Sequence, residues 1–346
     1  MTKIIPHMLK ELRSGNPDIR VTLLIATGFH RLTTREELIG KFGEEIVKRE
    51  RIVVHDSRDD SSLVRIGTLP SGADLIISRT AADADLLVSE GFIEPHFFAG
   101  FSGGRKSVLP GICSQKTVLG NHCSAFIGDS HCRTGILEGN PIHRDMAAAA
   151  EMAGLSYIVN MIIDADKRVT AAVAGDPSAA HKKGCEMLKS ICTVRKKRKA
   201  DIVITTNGGA PLDQNIYQSV KGLTAAEAAA KEGAVLITCA ACADGTGGDG
   251  FYHARKECAS PQALLNEVEK IPANATKPDQ WEYQILARIL AHHKVIFVCD
   301  PKTQAVAREM KLGTADTVQK AFDKALEEKQ DAKITVIPDG VSIIVK

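Results

Sequence analysis

The stretch Val21-Thr22-Leu23-Leu24-Ile25-Ala26-Thr27-Gly28 decides the fold class. It is a short apolar run closed by a glycine, and such runs read as fully buried parallel strands rather than helices. Thr33-Thr34-Arg35-Glu36-Glu37-Leu38 follows as the start of a capped helix, with Thr33 or Thr34 as the N-cap. Arg51-Ile52-Val53-Val54-His55 is a second strand. Residues 73–78, 84–88 and 157–163 read as further strands, and residues 143–154 and 178–189 as helices. Asp201-Ile202-Val203-Ile204-Thr205-Thr206 starts a new strand that ends in Asn207-Gly208-Gly209. Beyond it the pattern predicts a helix over 224–232, a strand over 234–239, a helix over 281–291 and a strand over 294–299. A helix over 316–328 and a strand over 333–338 follow, with 341–345 pairing near that strand. Alternation of this kind defines an α/β protein with two Rossmann-like domains and mostly parallel sheets. The boundary falls near residues 190–200, giving an N-terminal domain over 1–194 and a C-terminal domain over 200–346. Polar, glycine-rich segments follow several strands, which predicts an active-site cleft between the domains at strand C-terminal ends.

The chain has 346 residues, 44% of them hydrophobic and 25% charged, which excludes collagen, long coiled coils and wholesale disorder. Lys and Arg number 44 against 42 Asp and Glu, so there is no electrostatic case for nucleic acid or an anionic membrane. No window is long and apolar enough to predict a membrane span, and the N-terminus carries no secretory pattern. Nine cysteines, an odd number, read as reduced thiols of a cytoplasmic protein. The basic run Arg195-Lys196-Lys197-Arg198-Lys199 reads as a solvated connection.

The densest signal is Pro95-His96-Phe97-Phe98-Ala99-Gly100-Phe101-Ser102-Gly103-Gly104-Arg105-Lys106-Ser107, continuing to Asn121-His122. Its glycines let backbone approach a ligand closely. Lys106 at the end can serve as a phosphate partner, a Schiff-base former or a covalent anchor. A phosphate loop needs G-x-x-x-x-G-K-[ST], and Arg105 before Lys106 breaks that pattern. His30, His96 and His122 each stand beside a glycine-rich loop. Two imidazoles could take and give a proton on opposite faces of a substrate, and a third could hold nickel or zinc.

This segment, with Ala26-Thr27-Gly28-Phe29-His30-Arg31, Gly139-Asn140-Pro141-Ile142-His143-Arg144-Asp145 and Pro211-Leu212-Asp213-Gln214-Asn215-Ile216-Tyr217-Gln218-Ser219-Val220-Lys221, resembles the nickel-pincer lactate racemase family. The resemblance implies racemisation or epimerisation of a small 2-hydroxy acid by reversible hydride transfer. It implies a nickel-pincer nucleotide cofactor, a pyridinium-3,5-bisthiocarboxylic acid mononucleotide carrying Ni. Lys106 matches the residue that tethers it, and His122 the imidazole that completes the metal's coordination. His30 and His96 match the acid–base pair. Gln218 and Lys221 match polar contacts near substrate and cofactor. Cofactor-biosynthesis enzymes are the implied partners. The family usually opens with a strand and an Asp-x-Thr-Arg-Pro segment. Here Met1-Thr2-Lys3-Ile4-Ile5-Pro6 resembles the helix downstream of it, and Asp18-Ile19-Arg20 has the wrong spacing to replace it.

Two rival readings remain at this stage. Gly245-Thr246-Gly247-Gly248-Asp249-Gly250 is a literal G-x-G-x-x-G, with Glu267 about 20 residues on, as in NAD(P)-dependent dehydrogenases. The other is a truncated, cofactor-free relative that binds a ligand without turnover. Cys239-Ala-Ala-Cys242 reads as buried thiols, not half a zinc site.

Overall fold

The computed structural model describes residues 4–164 and 166–346. Close contacts divide the chain into two units whose pieces interleave. One unit runs to Glu94 and adds Ser102–Asn121 and His143–Leu188. The other comprises Pro95–Phe101, His122–Ile142 and Lys189–Lys346. The two short insertions give the second unit His96 and His122 from within the N-terminal half of the sequence.

In the first unit, Thr22–Ile25 pairs in parallel with Arg51–Val54. The helices Ile5–Gly15, Arg35–Phe42 and Glu44–Arg49 bury Ile5, Leu9, Leu38, Phe42 and Ile46 against these strands. Thr34 caps Arg35–Phe42 through a full capping box, its hydroxyl accepting from Glu37 N while the Glu37 carboxylate accepts from Thr34 N. Leu63–Thr68 and Asp74–Ser78 form an antiparallel pair. A mixed sheet joins Leu87–Phe92 in parallel to Leu155–Ile163, which in turn pairs antiparallel with Val169–Gly175. The strand expected over 84–88 therefore starts later and runs further. Ala84-Asp85 precede it, and an acidic residue there gains nothing from a ladder.

The second unit is built on a five-stranded parallel sheet. Its order is Gly313–Ala315, Lys294–Val298, Ala230–Cys239, Ala200–Thr206, Ile334–Ile337. Ile202, Val235 and Ile237 are almost wholly buried, as parallel strands covered on both faces must be. Chain order reverses between Ala200–Thr206 and Ile334–Ile337. That reversal is a topological switch point, where loops at the carboxyl ends leave a crevice. The helix Ile216–Ala229 leaves from this point.

That helix begins eight residues before the expected 224, and residues 230–232 belong to the following strand. Ile344–Val345 pairs with Thr193–Val194 instead of lying beside residues 333–338. The segment after the Gly245 loop is a true helix, Asp249–Glu257.

Candidate active site

In the first unit two turns are stitched together. Ile25 ends in Thr27-Gly28-Phe29-His30, where His30 N donates to Thr27 O at 3.1 Å. The Thr27 hydroxyl donates to His55 O, and Arg31 forms a two-pronged pair with the Glu37 carboxylate. Gly28 has φ +59°, a left-handed value that favours glycine, and its N–H donates to Gly111 O at 2.9 Å. Gly111 N donates to Lys106 O at 3.1 Å. A side chain at Gly111 would strike the Ser107 carbonyl. The His30 turn and the Lys106 turn are thus held by one glycine.

Lys106 rides on the single 3₁₀ turn Gly104–Ser107 and is half-buried. Asn160 accepts from Gly104 N at 2.8 Å, and a Cβ at Gly104 would sit 2.9 Å from the His181 ring. Arg105 points inward and is 4% exposed. Its Nε donates to His143 Nδ1 at 3.0 Å, and its Nη1 lies 2.8 Å from His181 Nε2. Nη1 also donates to Gly103 O. Burial, reinforced by the Arg105 charge, pulls His143 down to about 4 and His181 to about 3. Both imidazoles are therefore neutral at ordinary pH. The same unit holds a cavity of about 1820 Å³ lined by Thr27, His30 and Ser107 among others.

In the second unit His96 lies in the two-residue strand Pro95–His96, paired antiparallel with Gly100–Phe101. Its Nδ1 accepts from Ala99 N at 3.2 Å. Four rings then run edge to edge. His96 meets Phe98 at 4.5 Å between centroids, Phe98 meets His122 at 5.0 Å, and His122 meets Trp281 at 5.1 Å. His96 also stacks on Phe97 at 5.0 Å, and Lys221 Nζ stands 5.9 Å from the Phe97 ring centre. His96, His122 and Lys221 are thereby brought around one aromatic cluster. His122 is buried and His96 half-buried, whereas His30 in its own unit is exposed.

Lys221 and Gln218 project from the first two turns of Ile216–Ala229. Asn215 caps that helix by accepting from Gln218 N at 2.9 Å. Asn207, fully buried at the end of Ala200–Thr206, donates to Leu212 O and Gln218 O and accepts from Gly222 N. This fixes the helix start against the switch point.

Among the described residues, no group of three or more His, Cys, Asp or Glu could hold a metal ion. The cysteines near the signal segment are buried. The Cys113 thiol is pushed far up by burial and Cys132 to about 12. Cys242 is likewise pushed to about 12 beside the Ser219 hydroxyl. The Gly245 loop has an internal use. Its carbonyls at Gly245 and Thr246 accept from Ile216 N and Tyr217 N, and a Cβ at Gly248 would sit 2.8 Å from Asp279. Glu267 is exposed on the helix Pro261–Val268. No helix among the described residues is long and apolar enough to cross a membrane.

Sequence reasoning did not single out three residues of these clusters. Arg105 enters the sequence reading only as the residue that breaks the phosphate-loop pattern, and Trp281 and Glu282 do not enter it. Glu282 follows Trp281 and is fully buried, its carboxyl pushed up to about 8 by burial. Its position in the first turn of the helix Gln280–His292 is the one signal that was available.

Histidines on glycine-bounded segments, a lysine on a tight loop and a helix carrying Lys221 at a switch point are the parts of a two-unit α/β enzyme. The family model described as the lactate racemase N-terminal domain matches residues 1–135, and the one described as the lactate racemase C-terminal domain matches residues 195–345. A lactate racemase of Thermoanaerobacterium thermosaccharolyticum is 55% identical over 99% of this chain and 80% of its own length. One of Lactiplantibacillus plantarum is 54% identical over 99% of this chain and 81% of its own. The solved structure of the T. thermosaccharolyticum lactate racemase apoprotein superposes with a TM-score of 0.97, covering 99% of this chain and 82% of that one. A Thermotoga maritima protein of 19% identity shares the fold, with a TM-score of 0.73. The chain belongs to the lactate racemase family and is an isomerase, a racemase.

Proposed function

We propose that this chain interconverts the enantiomers of lactate or a closely similar 2-hydroxy acid, using a nickel-pincer nucleotide tethered to Lys106. The observation that carries the reading is the ring sequence His96–Phe98–His122–Trp281 with Lys221 over Phe97. It brings His96, His122 and Lys221 around a single apolar surface, which supports a proton-transfer role for the first, a metal-ligating role for the second and a carboxylate-binding role for the third. The donor set fits the cofactor. His122 offers a buried imidazole, and no group of three or more His, Cys, Asp or Glu that could hold a metal stands among the described residues. A nickel ion there needs a group that brings its own donors, and a pincer supplies two sulfurs and a ring carbon. When bound, that group supplies the acceptor and donor of the substrate's α-hydride.

The protein's own residues supply the rest. An imidazole can both take and give a proton, so either of His30 and His96 can take the hydroxyl proton while the other returns one on the opposite face. The Lys221 ammonium pairs with the substrate carboxylate, and the Gln218 amide offers it a directional hydrogen bond. Phe97, Phe98 and Trp281 keep water from the aromatic surface, which strengthens both contacts. Glycines 103, 104 and 111 let the backbone carry Lys106 on a tight turn.

The test is peptide mass spectrometry with metal analysis on protein made in a host that synthesises the cofactor. The expected result is a nucleotide-sized adduct on Lys106 with stoichiometric nickel, both lost in Lys106→Ala. Unmodified Lys106 without nickel overturns the reading. In the loaded enzyme His30→Ala and His96→Ala should each lower kcat by about 10²–10⁴-fold, the usual worth of a positioned acid or base.

A further inference from the structure

His55 is a buried imidazole, 2% exposed, that the reaction as proposed does not use. It follows the strand Arg51–Val54, and its main chain binds the exit of the neighbouring strand Thr22–Ile25. Its N–H donates to Ile25 O at 3.1 Å, and its carbonyl accepts from the Thr27 hydroxyl at 2.5 Å. Its ring reaches another segment. Nε2 lies 2.9 Å from Cys113 O, and a carbonyl can only accept, so Nε2 carries the proton. Cys113 stands opposite Ile77 in an antiparallel bridge. Its neighbours make the ladder bonds there, Ser78 N donating to Ile112 O and Ser114 N to Ile76 O. The Cys113 carbonyl therefore faces away from that strand, and the His55 ring satisfies it. Nδ1 is buried with no hydrogen-bond partner among the described residues. Burial also lowers the ring's affinity for a second proton, so the imidazole is neutral at pH 7. A leucine would fill much the same space with no unpaired atom. What the ring adds is the Nε2–H bond.

We propose that His55 is a positioning residue that fixes the angle between the His30 turn and the Lys106 turn. This rests on the reading that His30 moves a proton and Lys106 holds the cofactor. Two paths join the turns. One is the main-chain bond from Gly28 N to Gly111 O. The other runs from Cys113 O through the His55 ring to the His55 carbonyl and the Thr27 hydroxyl. Thr27 O in turn accepts from His30 N at 3.1 Å. A single hydrogen bond leaves two turns free to pivot about it. A second bond beside the first removes the pivot. A proton-transfer group misplaced by about 1 Å can lose two orders of magnitude in rate, so a loosened pivot shows in turnover before it shows in binding.

Two variants separate positioning from packing. His55→Leu fills the space and loses the donor, whereas His55→Gln keeps an amide donor that can reach Cys113 O. Per nickel-loaded site, His55→Leu should lower kcat for lactate by about ten- to a hundredfold with KM little changed. His55→Gln should restore most of that loss. Unchanged kcat in His55→Leu, or equal loss in both variants, overturns the proposal. The second readout is hydrogen exchange of the apoprotein, without cofactor or substrate. In His55→Leu the amides of residues 26–31 and 104–113 should exchange faster together, while those of the helix Ile5–Gly15 keep their rate. His55→Gln should slow both segments again. Faster exchange throughout, or no change, overturns the proposal, because the ring then only fills the core. Should His55→Leu fail to fold, Thr27→Val cuts the same path at its other end and keeps the side chain's shape. It should speed exchange over residues 26–31 and lower kcat, and the absence of both effects overturns the proposal. A wild-type protein with no Lys106 adduct and no racemisation sinks the functional reading instead, and paired loosening in the apoprotein would still sustain the His55 tie.

Discussion

Arg105 donates to an imidazole and two carbonyls, with a second imidazole in reach, and both rings stay neutral because they are buried and a cation lies beside them. The pH consequence has a definite sign. Unfolded, His143 and His181 bind protons near 6.5; folded, they resist until about 4 and about 3. Their contribution is therefore present above pH 6.5 and is lost as pH falls through 6.5 toward 3. Urea midpoints measured from pH 7 to pH 4 should decline, and the double variant His143→Gln, His181→Gln should decline less steeply. Arg105→Met should cost about 3 kcal/mol at pH 7, because charge-assisted hydrogen bonds are lost and their acceptors stay buried. Denaturant unfolding at constant m checks it. None of this was legible in Gly103-Gly104-Arg105-Lys106. A charged side chain beside a lysine reads as solvated, and only tertiary packing reveals that one of the two turns inward. His30 was legible as a candidate because it stands on a glycine-bounded turn after a strand, and His96 and His122 because they flank the glycine-rich segment.

The helix Ile216–Ala229 shows what pattern reading catches and misses at the level of the element. Its alanine-rich second half gave it away. Its first half was missed because Ile216, Val220 and Gly222 weaken intrinsic helix propensity, and Asn215 was not taken as a cap. The overshoot into residues 230–232 has the opposite cause. Ala230-Lys231-Glu232 favour a helix locally, yet Ala230 pairs with Ala200 and Lys231 holds the Asp201 carboxylate. Asn215→Ala should lower stability by about 1 kcal/mol, the usual worth of an N-cap. Because the cap seats Gln218 and Lys221, KM should rise with it. Gly222→Ala should cost more, in the range of about 1–3 kcal/mol for overpacking. Its Cβ would meet Asn207 and come within 2.8 Å of Thr206 O. Thermal unfolding of both variants separates the two effects. The five-stranded sheet itself was legible strand by strand except at its edge, where Gly313–Ala315 is too short to carry a pattern.

For the whole molecule, the two contact units are not two stretches of sequence. Pro95–Phe101 and His122–Ile142 belong with residues after Lys189, although both lie inside the first 150 positions. Composition and periodicity cannot reveal such an exchange, because each inserted piece is locally ordinary. Trp281, the single tryptophan, is 7% exposed and reports on it directly. In the full chain its emission should be that of a buried indole. In residues 195–346 expressed alone, which lack Phe98 and His122, it should shift to the red. An unshifted spectrum would mean that the C-terminal segment buries Trp281 without them.

The interleaving also sets an order of assembly during synthesis. Phe97 and Phe98 leave the ribosome roughly 180 residues before Trp281, the far end of their ring sequence. At ordinary translation rates of ~5–20 residues per second, that is a wait of roughly ten seconds or more. During it a run of aromatic surface has no permanent partner. A nascent chain stalled in that window is the species most exposed to aggregation and most in need of a chaperone. The residues that make the pocket apolar are thus also what makes the half-made protein vulnerable.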